Sequence, residues 1–135
     1  MPSLYVVDTH TLLWFLDNYK KLGIAAAKVL ADPNVLLILP AIALSEALFV
    51  IEKGRTPFTI TETELLQAVE DDPRFVVTPL DEAVIQKTLQ CKAVPEMHDR
   101  QIVATALLAQ TNGNQVAILT RDESIQNCGL VQTIW

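Results

Sequence analysis

The sequence predicts one α/β domain spanning residues 1–135, with three layers in which helices cover both faces of a central parallel sheet. Five short apolar runs, rich in β-branched residues, do not alternate with polar residues, which is typical of strands buried in a parallel sheet. Segments with helical spacing separate these runs, as right-handed crossovers between parallel strands require. The chain has 135 residues, of which 50% are hydrophobic, and this length and composition favour a single compact core.

The elements follow from local pattern along the chain. Strands are predicted at residues 4–7, 35–39, 75–78, 116–119 and 131–134. Helices are predicted at residues 9–16, 41–53, 81–90 and 98–110. Thr61 and Glu64 form a capping-box pattern, which begins a further helix that should end before Pro73. The Gly, Arg and Pro content of residues 54–58 predicts a mobile loop.

Composition and charge narrow the function classes. A net charge of −6 argues against tight, non-specific binding of nucleic acid over the whole surface. It does not exclude a nuclease, because a carboxylate site counts as negative until a metal fills it. Residues 35–51 approach the length of a membrane span, but Pro40 and Glu46 lie inside the run, so we expect no membrane insertion. Cys91 and Cys128 lack metal-type spacing, and no signal peptide is visible, which predicts a reduced, cytoplasmic protein.

Four acidic residues lie where a carboxylate is hard to explain as part of the surface. Asp8 and Asp122 follow the first and the fourth predicted strand. Glu46 interrupts an almost wholly apolar helix, and Asp99 opens a helix with an apolar stripe. A buried carboxylate is costly unless it is paired or binds a cation. The four acids therefore suggest a divalent-metal site, and hence an enzyme.

Capping and ion pairing are the alternatives to a metal site. The three aspartates lie near predicted helix starts, where Asp is a favoured N-cap, and Thr120 with Glu123 has a capping-box pattern of its own. Glu46 is mid-helix, so its alternative is an internal salt bridge, for example to an arginine. The metal site is favoured because ligands of open parallel sheets bind beyond the carboxyl ends of the strands.

The donor types indicate which cation and which chemistry. Oxygen ligands without a His or Cys cluster suit Mg²⁺ or Mn²⁺. Such a cation can orient and deprotonate a water molecule for attack on a phosphodiester. His10 and His98 are isolated in the sequence and do not resemble zinc ligands. Contact with substrate is open to either, and a solvated or core-satisfied histidine is the favoured interpretation. The sequence has no P-loop or Rossmann glycine motif, which argues against those nucleotide-binding functions.

Four segments in a fixed order carry a family resemblance. A strand ending in aspartate, LYVVDTHTLLWFL, precedes a helical glutamate in ALSEALFVI, and HDRQIVATAL and AILTRDESI follow. In this order they resemble the PIN-domain family, specifically its toxin-like branch related to VapC-type ribonucleases. The resemblance covers nearly the whole chain, from Leu4 to the closing VQTIW. Residues 94–98, VPEMH, precede the Asp-Arg helix and differ from the longer segment that many relatives carry there. This difference leaves substrate specificity open.

The resemblance implies an α/β/α fold, a Mg²⁺ or Mn²⁺ site and hydrolysis of phosphodiester bonds in RNA. It matches the family's catalytic and metal-binding acids to Asp8, Glu46, Asp99 and Asp122. Thr9 and Thr120 match hydroxyl positions that often accompany the site. The resemblance also implies a homodimer, inhibited by a small antitoxin whose C-terminal segment reaches the site.

The leading hypothesis is a metal-dependent endoribonuclease, the toxin of a type II toxin–antitoxin pair. Asp8 and Asp99 are expected to be the principal metal ligands, and Glu46 and Asp122 to complete the site. Arg100 and Arg121 are candidates for phosphate contact. An internal ion pair with a nearby glutamate is an equally good account of Arg100.

Two rival functions follow from the same residues. A PIN-like fold could serve mainly as a non-catalytic binding module for RNA or protein. Phosphatase chemistry through a covalent intermediate on Asp8 would usually require a second acid two residues on, where the chain has His10. An antitoxin groove is a hypothesis for the region of Leu12, Leu13, Trp14, Phe15 and Phe49. Core packing is favoured for Leu12 and Leu13 and left open for Trp14 and Phe15.

Overall fold

The centre of the fold is a parallel sheet. The computed structural model describes residues 4–55 and 58–135. Within these residues the strands are β1 Leu4–Val7, β2 Leu36–Pro40, β3 Phe75–Thr78, β4 Val116–Leu119 and β5 Gln132–Ile134. Their order in the sheet is β3-β2-β1-β4-β5, and all neighbouring strands are parallel. The predicted α/β fold around a parallel sheet is confirmed.

Helices make the connections between the strands. In the described part of the chain they are α1 Thr9–Asp17, α2 Ile24–Ala31, α3 Ala41–Lys53, α4 Glu62–Asp71, α5 Glu82–Lys87, α6 Met97–Thr111 and α7 Glu123–Gln126. Single turns of 3₁₀ helix occur at Tyr19–Lys21 and Thr88–Gln90. Helix α3 has its predicted bounds. Helix α4 begins with the predicted capping box and ends before Pro73.

Three helices differ from the sequence prediction. Helix α2 was not expected, because its N-cap is Gly23, which offers no side-chain cap as a start signal. The helix predicted at residues 81–90 ends at Lys87 and continues as the 3₁₀ turn. Helix α6 begins one residue before its predicted start and is capped by Glu96, which makes Asp99 a first-turn residue rather than the cap.

The two edge strands are less buried than predicted. Strand β3 lies at the edge of the sheet, where it pairs with β2 alone among the described strands. Its residues Val76 and Val77 are each 45% exposed. The expectation that all five runs are buried on both faces is therefore wrong for β3, and also for β5, the other edge strand, in which no residue is buried.

The chain order defines one position in the sheet where a ligand is expected. From β1 the chain moves outward to β2 and β3, and it then crosses to β4 and β5 on the other side. The boundary between β1 and β4 is therefore the topological switch point of the sheet. The two strands end in register, with Val7 opposite Leu119, so the next residues, Asp8 and Thr120, lie beside each other.

Three other expectations can be compared with the structure. No helix in the described ranges is long and apolar enough to span a membrane. Cys91, which is buried, and Cys128, which is partly buried, are free thiols. Of the loop predicted at residues 54–58, positions 56 and 57 lie outside the described residues. Gly54 ends α3 in the left-handed conformation that glycine favours.

The C-terminal tryptophan packs against a glycine with no room for a side chain. A Cβ added at Gly23 would lie 2.4 Å from the carbonyl carbon of Trp135 and 2.6 Å from its ring. Trp135 in turn makes an edge contact with Trp14 of α1, with the ring centroids 5.6 Å apart. The position of Trp135 therefore requires glycine at residue 23, and Trp135 packs against the ring of Trp14.

We predict that Gly23→Ala lowers the free energy of unfolding by about 1–3 kcal/mol, because the added methyl group overpacks this contact. Chemical denaturation measures the change, and tryptophan fluorescence reports the displacement of Trp135. The same substitution in a chain ending at Ile134 is the matched control, and there most of the cost should disappear. An equal cost in both backgrounds would show that the contact with Trp135 is not responsible.

Candidate active site

Asp8 is the buried acid at the switch point. Asp8 is 8% exposed. Its carboxylate caps α1 by accepting a hydrogen bond from the Thr11 amide at 2.9 Å. Its other oxygen accepts a hydrogen bond from the Thr120 hydroxyl. The Thr11 hydroxyl donates to the Leu119 carbonyl at 2.7 Å, which ties α1 to the end of β4 a second time. Burial raises the pKa of Asp8, and the bonds from Thr11 and Thr120 oppose that rise.

Glu46 projects from the middle of α3 and has polar partners. The Thr9 hydroxyl donates to one carboxylate oxygen, and Nδ1 of His98 lies 3.3 Å from the other. The same His98 nitrogen lies 3.3 Å from a carboxylate oxygen of Glu96. The partner of Glu46 is therefore a histidine rather than the arginine suggested by the sequence. His98 thus lies near both carboxylates, with its side chain 36% exposed.

Asp99 has a carboxylate that helix capping does not use. Glu96 caps α6 by accepting a hydrogen bond from the Asp99 amide at 2.8 Å, so the capping alternative fails for Asp99. Burial and then the negative charge of Asp122, followed by the charges of Glu96 and Glu46, raise the pKa of Asp99 to about 7. The shift therefore reflects the burial of Asp99 first and the neighbouring acids second.

Asp122 caps α7. One carboxylate oxygen accepts hydrogen bonds from the Ser124 amide at 2.9 Å and the Ile125 amide at 3.2 Å. The capping box expected from Thr120 and Glu123 is not formed. The Thr120 hydroxyl instead accepts a hydrogen bond from the Asp122 amide at 3.0 Å while it donates to Asp8. Thr120 thus joins two of the acids.

These acids surround one cavity of about 700 Å³ at the carboxyl end of the sheet. The cavity is lined by Asp8, Thr9, His10, Trp14, Glu46, Glu96, Asp99, Ile102, Arg121, Asp122 and Glu123. All four acids named from the sequence are thus brought together. The lining residues that were not named as site residues are His10, Trp14, Glu96, Ile102 and Glu123. Glu96 gave only a weak signal, since glutamate is not a favoured N-cap.

The two candidate arginines have different positions. Arg121 lines the cavity, and its guanidinium lies 5.1 Å from the centroid of the Trp14 ring. Arg100 is not among the lining residues. Its guanidinium donates to the carbonyls of Val94 and Lys92, which directs it to the segment before α6 and gives it neither a phosphate position nor the ion pair considered as its alternative.

The donor set suits a hard cation by its chemistry. Six carboxylates line the cavity, and Mg²⁺ is commonly held by one or two carboxylates together with water molecules. In the described residues, however, no three His, Cys, Asp or Glu side chains are arranged to hold one ion. Ligation by three or more of these acids would therefore require side-chain rotation.

Comparison with known proteins agrees with this architecture. A solved structure of FitAB bound to an IR36 DNA fragment is similar, with a TM-score of 0.64 and 19% identity over 96% of this chain and 93% of that one. A crystal structure of FitAcB from Neisseria gonorrhoeae has a TM-score of 0.62 and 19% identity over 97% of this chain and 96% of that one. At these identities the likeness extends to the fold alone. No curated protein matches the sequence significantly.

The family follows from the sequence itself. The sequence profile described as PIN domain matches residues 5–129, which include β1, the switch point and all four acids. The resemblance recognised from the four ordered segments is thereby confirmed, and the chain belongs to the PIN domain family.

Proposed function

We propose that the protein is a Mg²⁺- or Mn²⁺-dependent endoribonuclease of the VapC-like branch of PIN domains. PIN domains are generally nucleases. The observation that carries the proposal is the convergence of acids from four separate elements on one cavity at the switch point. Burial first, and then the charges of neighbouring acids, raise the pKa of Asp99, and a divalent cation would relieve both effects.

Each acid is proposed to have a distinct role. Asp8 and Asp99 are the principal cation ligands, and Glu46 and Asp122 complete the site directly or through water. When bound, the cation supplies Lewis-acid activation of a water molecule and of the phosphoryl group. Thr120 fixes the Asp8 carboxylate by its hydrogen bond.

Three further side chains orient the site or its substrate. Thr9 holds Glu46 by donating to its carboxylate, and His98 lies against the other oxygen of the same group. Arg121 is the basic residue proposed to contact the substrate phosphate, because it lines the cavity and is held against Trp14. Arg100 is left out of this role, since its guanidinium is bound to backbone carbonyls.

The proposal extends to protein partners. The two similar structures are those of FitAB, which is bound to a DNA fragment, and of FitAcB. Together with the resemblance to the toxin-like branch, these names support a small antitoxin as partner and a homodimer as the assembled state. On this proposal the protein is the toxin of a type II toxin–antitoxin pair.

A non-catalytic binding module is the second candidate. It is favoured by one observation, the lack of any three acid, His or Cys side chains arranged for an ion among the described residues. The engagement of Glu46 by Thr9 and His98 points the same way, because it occupies both carboxylate oxygens. Cation binding and cleavage distinguish the two candidates.

We predict that the parent protein cleaves single-stranded RNA with Mg²⁺ or Mn²⁺ and not with EDTA. Asp8→Asn and Asp99→Asn should each lower the cleavage rate by about a hundredfold or more, because each removes a proposed ligand charge. The measurement is the cleavage rate on a mixed RNA pool, with single-stranded DNA of the same composition in parallel.

Asp81→Asn is the matched control for this experiment. Asp81 caps α5 through its side chain, as Asp8 caps α1, but it does not line the cavity. Its variant should retain the parent rate. RNA cleavage that survives in a folded Asp8→Asn protein would contradict the catalytic assignment, and equal loss in Asp81→Asn would attribute the effect to capping.

We predict that Asp99→Asn stabilises the metal-free protein at pH 8 but not at pH 4. The folded-state pKa of Asp99 is raised to about 7 from an ordinary value of 3.8, chiefly by burial. Between these values the folded state holds a proton that the unfolded state has lost, so stability falls as the pH rises through this window. The expected gain at pH 8 is on the order of 1 kcal/mol after allowance for solvent screening.

Chemical denaturation in EDTA at both pH values measures this effect. A second measurement compares the Tm with and without added Mn²⁺. Because a bound cation stabilises the folded state, Mn²⁺ should raise the Tm of the parent and of Asp81→Asn. It should raise the Tm of Asp99→Asn much less. Equal responses of all three proteins to Mn²⁺ would exclude Asp99 as a ligand.

A further inference from the structure

The cavity has an aromatic wall as well as its acids. His10 and Trp14, one helical turn apart on α1, both line it, with their ring centroids 5.5 Å apart. The cavity volume of about 700 Å³ lies within the range of pockets that hold drug-sized ligands, so it exceeds the need of a hydrated cation alone. The site therefore has room for more of a substrate than one phosphate.

Trp14 is held in place by neighbours on several sides. Trp135 meets its ring at an interplanar angle of 61°, His10 at 49°, and the guanidinium of Arg121 lies over it. Trp135 in turn packs so closely against Gly23 that a Cβ there would clash with it. A half-buried ring fixed in this way loses little conformational freedom when a ligand binds, which favours a recognition surface.

The charges of the cavity indicate that a polyanion needs another source of affinity. Six carboxylates line the cavity, and among the described lining residues Arg121 is the one Lys or Arg side chain. The whole chain carries a net charge of −6. Phosphate contacts alone therefore provide a weak attraction, whereas stacking of bases on aromatic rings does not depend on the net charge of the protein.

We infer that His10 and Trp14 form a stacking wall for a nucleobase next to the cleaved phosphate of a single-stranded RNA. This inference rests on the proposed ribonuclease function and adds the residues that select an unpaired base. Arg121, held against Trp14, contacts the adjoining phosphate, so base and phosphate are located together. Unpaired RNA is the substrate class, because a base stacked within a duplex cannot reach this wall.

The test compares binding of two single-stranded oligonucleotides of about ten units, an oligouridylate and a matched sugar–phosphate chain without bases. Binding is measured in Asp8→Asn, which should not cleave the probe. The oligouridylate should bind about five- to a hundredfold more tightly than the abasic chain. Trp14→Leu should remove this preference, and Trp14→Phe should retain most of it.

Three other variants separate stacking from general effects. His10→Ala changes the exposed end of the wall and should reduce the preference even if Trp14→Leu does not fold. Arg121→Gln should weaken both oligonucleotides alike. Phe49→Leu is the matched control, because Phe49 is 56% exposed but does not line the cavity, and its preference should equal that of Asp8→Asn alone.

The possible outcomes distinguish failure of the stacking wall from failure of the proposed ribonuclease function. If the parent cleaves RNA while neither Trp14→Leu nor His10→Ala alters the base preference, the stacking wall is wrong and the ribonuclease stands. If the preference exists and depends on Trp14 but the parent cleaves nothing with Mg²⁺ or Mn²⁺, the wall stands as a binding surface and the ribonuclease fails. If the parent neither cleaves nor prefers bases, both are wrong.

Discussion

The pair of hydrogen bonds on Asp8 is the constraint on which the site depends. The carboxylate links the first turn of α1, through the Thr11 amide, to the end of β4, through the Thr120 hydroxyl. Since β1 and β4 are paired at the switch point, these bonds hold the start of α1 against the end of β4 at the edge of the sheet where a ligand is expected. A carboxylate buried this deeply is tolerable because both oxygens accept hydrogen bonds.

The remaining carboxylates divide into compensated and uncompensated groups. Glu46 has Thr9 and His98 as partners, and Asp122 satisfies the start of α7. Asp99 has neither a cap to form nor a counter-charge described beside it, and burial together with neighbouring acids raises its pKa. Such unrelieved repulsion destabilises the metal-free fold, which is the usual cost of a site arranged for a ligand rather than for stability.

Sequence patterns predicted the parts of the structure that local chemistry determines. Strands β1, β3 and β4 and helix α3 have their predicted bounds, because each is a largely apolar segment with polar or turn residues at its ends. Side-chain directions were not predictable in this way. Arg100 follows Asp99 directly, yet it turns to the carbonyls of the preceding segment, and His98 turns to two glutamates. The orientations of these two side chains depend on hydrogen-bond and ionic partners that only the tertiary fold brings near them.

Capping and site membership are not alternatives in this fold. Asp8 and Asp122 each cap a helix and line the cavity at the same time, whereas Asp81 caps α5 without lining it. All three residues therefore give the same local signal in the sequence, and the signal alone cannot separate them. The position of the capped helix in the fold determines whether its N-cap aspartate lines the cavity. Helices α1 and α7 follow the carboxyl ends of β1 and β4, the strands that flank the switch point, so both N-cap carboxylates line the cavity there.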